Sequence, residues 1–298
     1  MNRKSAWTAG WFLFAMSAAS TIIYFLTESL APRARLFSNH YFIIAMQVCV
    51  FLVPTLVWII FKDRKKQPLT VRLGGISGTG FCFVLCASLA VAILSLLINI
   101  AVSMFIGDFS GVIAPEFLNR SANPIIALLA LVIVPPVVEE LFFRGAVFGV
   151  YEKFGTGIGI FLSALAFAML HGHFQNFFGP FIAGLLFAYI AYVFNSIWPA
   201  IFAHLINNSF VFLLGLYASS ENPSNFWTYF LAAMLIALIA LCYLATRFLE
   251  KLIRKDKIRR FNPRQTGFAE TLMSTLFAPG FLLLFAIFLF RIYLSVSY

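Results

Sequence analysis

The sequence is short of charge, and above all of acidic side chains. Only 11% of its 298 residues are charged, with 21 Lys and Arg against 11 Asp and Glu, while 62% are hydrophobic. Soluble domains carry about 25% charged residues, so this composition excludes an ordinary soluble protein. The net charge of +10 could by itself indicate a nucleic-acid partner. However, the basic residues fall in short clusters between long apolar runs, and we therefore predict no nucleic-acid partner.

Cysteine is also scarce, and its positions indicate no site. The four cysteines all lie within apolar runs, at Cys49, Cys82, Cys86 and Cys242. Their spacing matches no metal-binding pattern, so we interpret them as small hydrophobic residues in helix packing.

What the chain has in abundance is apolar runs long enough to cross a bilayer. A transmembrane helix needs about 20 predominantly apolar residues. By that measure the sequence predicts an all-α, polytopic transmembrane bundle of about eight to nine spans within one domain, 1–298. The candidate spans lie near 7–27, 41–61, 78–106, 124–150, 156–173, 177–196, 198–218, 226–248 and 271–295.

Basic residues predict how these spans are oriented. Cytoplasmic loops of membrane proteins carry an excess of lysine and arginine. More than half of these residues lie in two places, the loop after the second span and a segment around 249–270 after the eighth. With the amino terminus in the cytoplasm, both places fall on the cytoplasmic side. We therefore predict a basic cytoplasmic loop at about 249–270, which together with the ninth span could be an appendage to the bundle.

Two acidic residues interrupt the apolar pattern inside the fourth predicted span. A charged side chain at the bilayer centre costs about 2.5–3.5 kcal/mol on the lenient insertion scale, so Glu139 and Glu140 should face the bundle interior or a wet cavity. Arg144 lies four residues after Glu140, on the same helix face, and should pair with it. Glu139 then faces a different surface and can act as a base. Pro135 and Pro136 predict a kink or a restart of the helix just upstream.

Histidine is the second clue, because only four occur in the chain. Gly155 marks a tight turn between two antiparallel helices. Glu139 lies 16 residues before this turn and His171 lies 16 residues after it. Both should therefore sit about 24 Å from the turn, at one level on neighbouring helices. His204 and Asn208 share one face of a later helix, although His204 lies so close to its own turn that its depth matches less well.

Each of these polar residues also has a purely structural explanation. A single histidine or asparagine in a membrane helix more often joins helices by a hydrogen bond than takes part in catalysis. We interpret His40 and His173 as non-catalytic, and Phe167 and Phe174 as packing residues. What favours a site is the convergence of a spare carboxylate, two imidazoles and an amide on nearby spans of a chain poor in polar groups.

Three short motifs contain these residues. Glu139–Arg144 read EELFFR and fit EExxxR, Phe167–His171 read FAMLH and fit FxxxH, and His204–Asn208 read HLINN and fit HxxxN. In this order, on apolar spans, they resemble the CPBP group of intramembrane proteases, also called the Abi family. That group includes CAAX prenyl endopeptidases and bacteriocin-processing or immunity proteins. The motif-bearing core covers about 124–218.

The resemblance implies an all-helical membrane endopeptidase. It implies that Glu139 and His171 activate a water molecule, and that His204 and Asn208 stabilise the oxyanion of the tetrahedral intermediate. The Glu140–Arg144 pair would support the site. These roles agree with general chemistry, because a carboxylate held out of bulk water is a better general base, and donors aimed at a developing oxyanion contribute about 2.7–4 kcal/mol each.

The need for a metal stays open in the sequence. Glu139, His171 and His204 could supply three ligands and leave a fourth position to water, as catalytic zinc sites do. The chain has no HExxH motif, and the resemblance fits a glutamate mechanism without a metal equally well. We therefore expect no cofactor and keep zinc as the alternative.

The predicted function is hydrolysis of a peptide bond in a membrane-bound peptide or protein. The substrate could be a prenylated CAAX protein or a leader peptide, and the predicted location is a bacterial cytoplasmic membrane, with the lipid bilayer as the other partner. One alternative is an ion-coupled transporter, in which intramembrane Glu and His residues carry ions. Another is a non-catalytic membrane scaffold or bacteriocin self-immunity factor.

Overall fold

The structure is a computed structural model. It describes residues 40–61, 74–106, 123–171, 174, 176–218, 226–260 and 268–297, together with seven helical positions between 10 and 22. The first predicted span, the basic loop after the second span and His173 therefore lie wholly or mainly outside the described residues. Residues 261–267 of the predicted basic loop also lie outside them.

The described residues form helices and connecting turns, and no β-strand is found among them. The all-α prediction is confirmed. The helices are α1 (40–61), α2 (Gly78–Ile106), α3 (Pro124–Tyr151), α4 (Thr156–Leu170), α5 (Phe178–Val193), α6 (Trp198–Ala218), α7 (Phe226–Arg254), α8 (Phe268–Leu276) and α9 (Pro279–Ser297).

Four of the described helices are long and apolar enough to cross a membrane. These are α2, α3, α6 and α7. Among the shorter apolar helices, α4 has 15 residues and α5 has 16. The chain is thus an integral membrane protein, while the count of eight to nine spans stays a prediction.

The third helix is irregular at the two places that flank the acidic pair. It contains π-helical turns at Leu129–Ile133 and Leu141–Val147, and a short α-helical stretch, Val134–Glu140, between them. Pro135 and Pro136 lie in the first turn of that stretch, where they remove two N–H donors from the carbonyls of the preceding turn. The restart that the prolines predict is therefore present, and it occurs within one continuous helix of 28 residues.

A tight turn joins α3 to α4, as the sequence predicts. Gly155 has φ 140°, a conformation that other residues rarely adopt, and its N–H donates to the carbonyl oxygen of Glu152 over 2.9 Å. α4 then packs on α5 at close range. A Cβ atom at Gly184 would lie only 3.1 Å from the Cα of Ala164, so glycine permits this approach.

The last helix, α9, belongs to the bundle. Phe281, Leu284 and Phe288 are buried in the same hydrophobic cluster as Phe143 of α3 and Phe167 of α4. α9 therefore supports the helices that carry the motifs.

Candidate active site

The centre of the site is a buried ion pair within α3. The side chain of Glu140 is fully buried and that of Arg144 is 1% exposed. Arg144 Nη1 donates to Glu140 Oε1 over 2.7 Å, one helical turn away. The predicted pair is therefore confirmed. A charge-assisted hydrogen bond of this kind is among the stronger ones in proteins.

Helix α5 and two aromatic rings hold the guanidinium of Arg144. Its Nη2 donates to the carbonyl oxygen of Gly184 over 3.0 Å. Its Cζ lies 4.8 Å from the ring centroid of Phe167 and 5.4 Å from that of Phe187. The cation is thus enclosed by a carboxylate, a carbonyl and two ring faces, which compensates for its removal from water.

His204 is bound to the same carboxylate. Its Nδ1 lies 2.9 Å from Glu140 Oε1, and its ring stacks on Phe187 with 4.9 Å between the centroids. A carboxylate that is paired with an arginine only accepts hydrogen bonds, so Nδ1 carries the proton. In the neutral ring this leaves Nε2 with a lone pair.

The α5–α6 turn explains how His204 reaches this depth. Phe187 lies six residues before the end of α5 and His204 six residues after the start of α6, so the two rings meet at one level. With His204 Nδ1 2.9 Å from Glu140 Oε1, the structure shows no mismatch in depth between His204 and the acidic pair.

Glu139 is the carboxylate on the open side of the cluster. Its side chain keeps 11% exposure, whereas that of Glu140 has none. Its Oε2 lies 4.0 Å from His204 Nε2, which is too long for a direct hydrogen bond. Two acceptors at this separation suit one bridging water that donates a hydrogen to each of them.

His171 lies at the end of α4, against the same aromatic ring as His204. The centroid of its ring is 4.7 Å from that of Phe167, and the centroid of His204 is 5.5 Å from it. His171 Nδ1 lies 2.8 Å from the carbonyl oxygen of Phe167, which can only accept. This nitrogen therefore carries a proton, and in the neutral ring Nε2 is again an acceptor.

Asn208 binds the backbone of α3. Its Nδ2 donates to the carbonyl oxygen of Leu131 over 3.2 Å. In a helix this carbonyl would accept from the N–H group four or five residues later, but both of those residues, Pro135 and Pro136, lack one. A neighbouring helix thus supplies the donor that the prolines remove. One of the two amide hydrogens of Asn208 is used here.

The described residues do not form a three-ligand metal site. Among them, no group of three His, Cys, Asp or Glu side chains could hold a metal ion. All three predicted candidate ligands, Glu139, His171 and His204, are described. The side chains as placed therefore do not fit the three-ligand zinc site considered above.

Several contacts of the predicted site residues were not predicted from the sequence. The bond from His204 to Glu140 and the contacts of Arg144 with Phe187 and Gly184 were not predicted. Phe167 was expected to be a packing residue, and it also lies beside Arg144 and both histidines. The one signal for these contacts was the small number of polar groups in the chain. Buried polar groups are usually hydrogen-bonded, so the few that are present should bind one another.

Comparison with known proteins places this site in a matched segment. Residues 121–210 match the family described as "Type II CAAX prenyl endopeptidase Rce1-like". The chain is also similar to the "Putative membrane peptidase YdiL" of Bacillus subtilis (strain 168), with 34% identity over 85 residues. That match covers 28% of this chain and 35% of the relative. No solved structure matches the chain.

The predicted resemblance to CPBP-type CAAX proteases is confirmed for the segment that carries the three motifs. The chain spans about a third of the length of the curated relative that it matches. The family match does not extend to the helices outside residues 121–210.

Proposed function

We propose that the chain is an intramembrane endopeptidase that hydrolyses a peptide bond with a water activated by Glu139. The observation that carries this proposal is the 4.0 Å separation between Glu139 Oε2 and His204 Nε2 in a buried cluster. A water held between them donates both hydrogens and keeps its lone pairs for attack on a carbonyl carbon. The match to a family of prenyl endopeptidases supports the same reaction.

The proposed steps conserve protons and bonds. The water oxygen bonds to the carbonyl carbon while one of its protons passes to Glu139. The π electrons of the carbonyl move to its oxygen, and this oxyanion accepts from the second amide hydrogen of Asn208. It also accepts from His204 while the proton taken from the water, shared between Glu139 Oε2 and His204 Nε2 4.0 Å away, resides on His204. His171 assists Glu139 in activating the water. Glu139 then returns its proton to the amide nitrogen as the carbon–nitrogen bond breaks.

The proposed role of the Glu140–Arg144 pair is to position His204. Because Glu140 accepts from His204 Nδ1, it fixes which nitrogen faces Glu139. It also stabilises the imidazolium form of the ring, which can donate to an oxyanion. We propose that no metal takes part.

The proposed substrate is a membrane-bound peptide, either a prenylated CAAX-type protein or a leader peptide, in a bacterial cytoplasmic membrane. The description of the matched family names a prenyl endopeptidase. The name of the bacterial relative is that of a membrane peptidase and states no substrate. Partners are therefore the substrate and the bilayer.

The test is cleavage of fluorogenic peptides by the protein in lipid nanodiscs. Farnesylated and unmodified peptides are compared for wild type, Glu139→Gln and Glu250→Gln. Glu250 is 51% exposed and lies on α7, so it controls for the loss of one carboxylate elsewhere. We expect cleavage by wild type and Glu250→Gln and about a 10³-fold loss or more in Glu139→Gln.

Cleavage by Glu139→Gln at the wild-type rate would refute the mechanism. The two alternatives give different results. A scaffold or immunity factor keeps its biological activity in Glu139→Gln, and a transporter moves a substrate across the bilayer without cleaving it.

A further inference from the structure

An arginine continues the buried apolar stripe of α9. Phe281, Leu284 and Phe288 follow one another at helical spacing on the face that enters the core. Arg291 comes three residues after Phe288 and so extends the same face. It lies outside residues 121–210, the segment that matches the protease family.

Arg291 contacts the end of α4. Its Nη1 donates to the carbonyl oxygen of Leu170 over 3.1 Å, across 121 positions of sequence. Phe288, three residues before Arg291, packs its ring on that of Phe177 with 5.2 Å between the centroids. An arginine that only extended toward the membrane surface would not need such a partner.

The bound carbonyl belongs to the peptide group that carries His171. The N–H of the same peptide group donates to the carbonyl oxygen of Ala168 over 3.2 Å. The last carbonyls of a helix have no intrahelical donor, and leaving one without a partner in lipid is costly. At this helix end, the ring of His171 satisfies Phe167 and the guanidinium of Arg291 satisfies Leu170.

We infer that Arg291 is a positioning residue that fixes the orientation of His171 through the Leu170–His171 peptide group. Its positive charge lies at the negative end of the α4 dipole, which adds to the hydrogen bond. The catalytic part of this inference rests on the function proposed above. The contact itself does not, and the two can be tested separately.

The experiment compares Arg291→Leu and Arg291→Lys with Arg247→Leu, an arginine on the exposed surface of α7. Hydrogen exchange of the protein in nanodiscs is measured over the end of α4, with no substrate required. Cleavage of the peptide that wild type accepts gives kcat and KM. Lysine is included because its ammonium group can also donate to the Leu170 carbonyl.

We expect Arg291→Leu to speed amide exchange at the end of α4 and to lower kcat about 10- to 100-fold with KM nearly unchanged, because a small displacement of a catalytic group costs rate. Arg291→Lys should restore most of the slow amide exchange and most of kcat. Arg247→Leu should change neither the exchange nor kcat. Unchanged exchange in Arg291→Leu overturns the inference. Faster exchange with an unchanged kcat overturns the role in positioning. If wild type cleaves nothing, the proposed function fails and the exchange result still decides the contact.

Discussion

The hydrogen bond from Asn208 to Leu131 can be tested by giving the helix back its own donor. Asn208→Ala removes the side-chain donor from a carbonyl that Pro135 and Pro136 leave without a backbone partner. In Pro135→Ala, the new N–H of residue 135 can reach Leu131 at ordinary α-helical spacing. The loss of Asn208 should then cost much less.

The expected magnitude follows from the partly buried position of the bond. A buried polar group that loses its partner costs about 1–3 kcal/mol, while hydrogen bonds between membrane helices average about 0.6 and reach about 1.7 kcal/mol. We expect Asn208→Ala to lower the free energy of unfolding by about 1–1.5 kcal/mol. In the Pro135→Ala background the cost should fall by about 1 kcal/mol, and that difference is the coupling energy.

The assay is reversible unfolding in mixed micelles, with helicity followed by circular dichroism for wild type, both single variants and the double variant. Asn207→Ala is the matched control, because Asn207 is the preceding residue on α6 and its buried Oδ1 has no hydrogen-bond partner among the described residues. Asn207→Ala should be additive with Pro135→Ala. If the effects of Asn208→Ala and Pro135→Ala on the free energy of unfolding are also additive, the Leu131 carbonyl does not depend on Asn208 for its donor. That result would refute the reasoning.

Two further predictions concern the buried charges and the metal. Arg144→Met leaves the carboxylate of Glu140 buried without a cation and should lower the free energy of unfolding by about 3–5 kcal/mol. The double variant with Glu140→Gln should recover part of that loss in the same unfolding assay, and no recovery would show that packing rather than charge is responsible. Dialysis of the active protein against a strong chelator should leave its rate of peptide cleavage unchanged, whereas a loss that zinc restores would contradict the metal-free mechanism.

The part of the site that sequence could predict is the part governed by local geometry. The pairing of Glu140 with Arg144 follows from a spacing of four residues on one helix, and the turn at Gly155 follows from a short link between two apolar runs. Both depend on helix parameters that hold in any protein. The helical class follows in the same way from composition, since a chain this apolar must satisfy its backbone internally.

The contacts between helices could not be predicted, because they depend on helix lengths and on the heights of turns. His204 reaches Glu140 from a helix whose starting turn sets it level with Phe187 of α5, and the sequence does not fix the height of that turn. The Pro135–Pro136 pair predicted a kink or a restart of the helix, but nothing in the sequence identified the carbonyl of Leu131 and the amide of Asn208 as the groups that pair there. Similarly, Arg291 lies in a span whose role the sequence left open.

The distribution of donors and acceptors favours water over an anion as the first occupant of the site. Arg144 and Arg291 donate to backbone carbonyls or to the buried carboxylate. On the open side of the cluster, the carboxylate of Glu139 and, in the neutral ring, the Nε2 atom of His204 are two acceptors 4.0 Å apart. A water satisfies both acceptors at once, whereas an anion placed between them would be repelled. In the proposed mechanism Asn208, whose second amide hydrogen is a donor, binds the oxyanion only after the water has given up a proton, which is the order of events that hydrolysis requires.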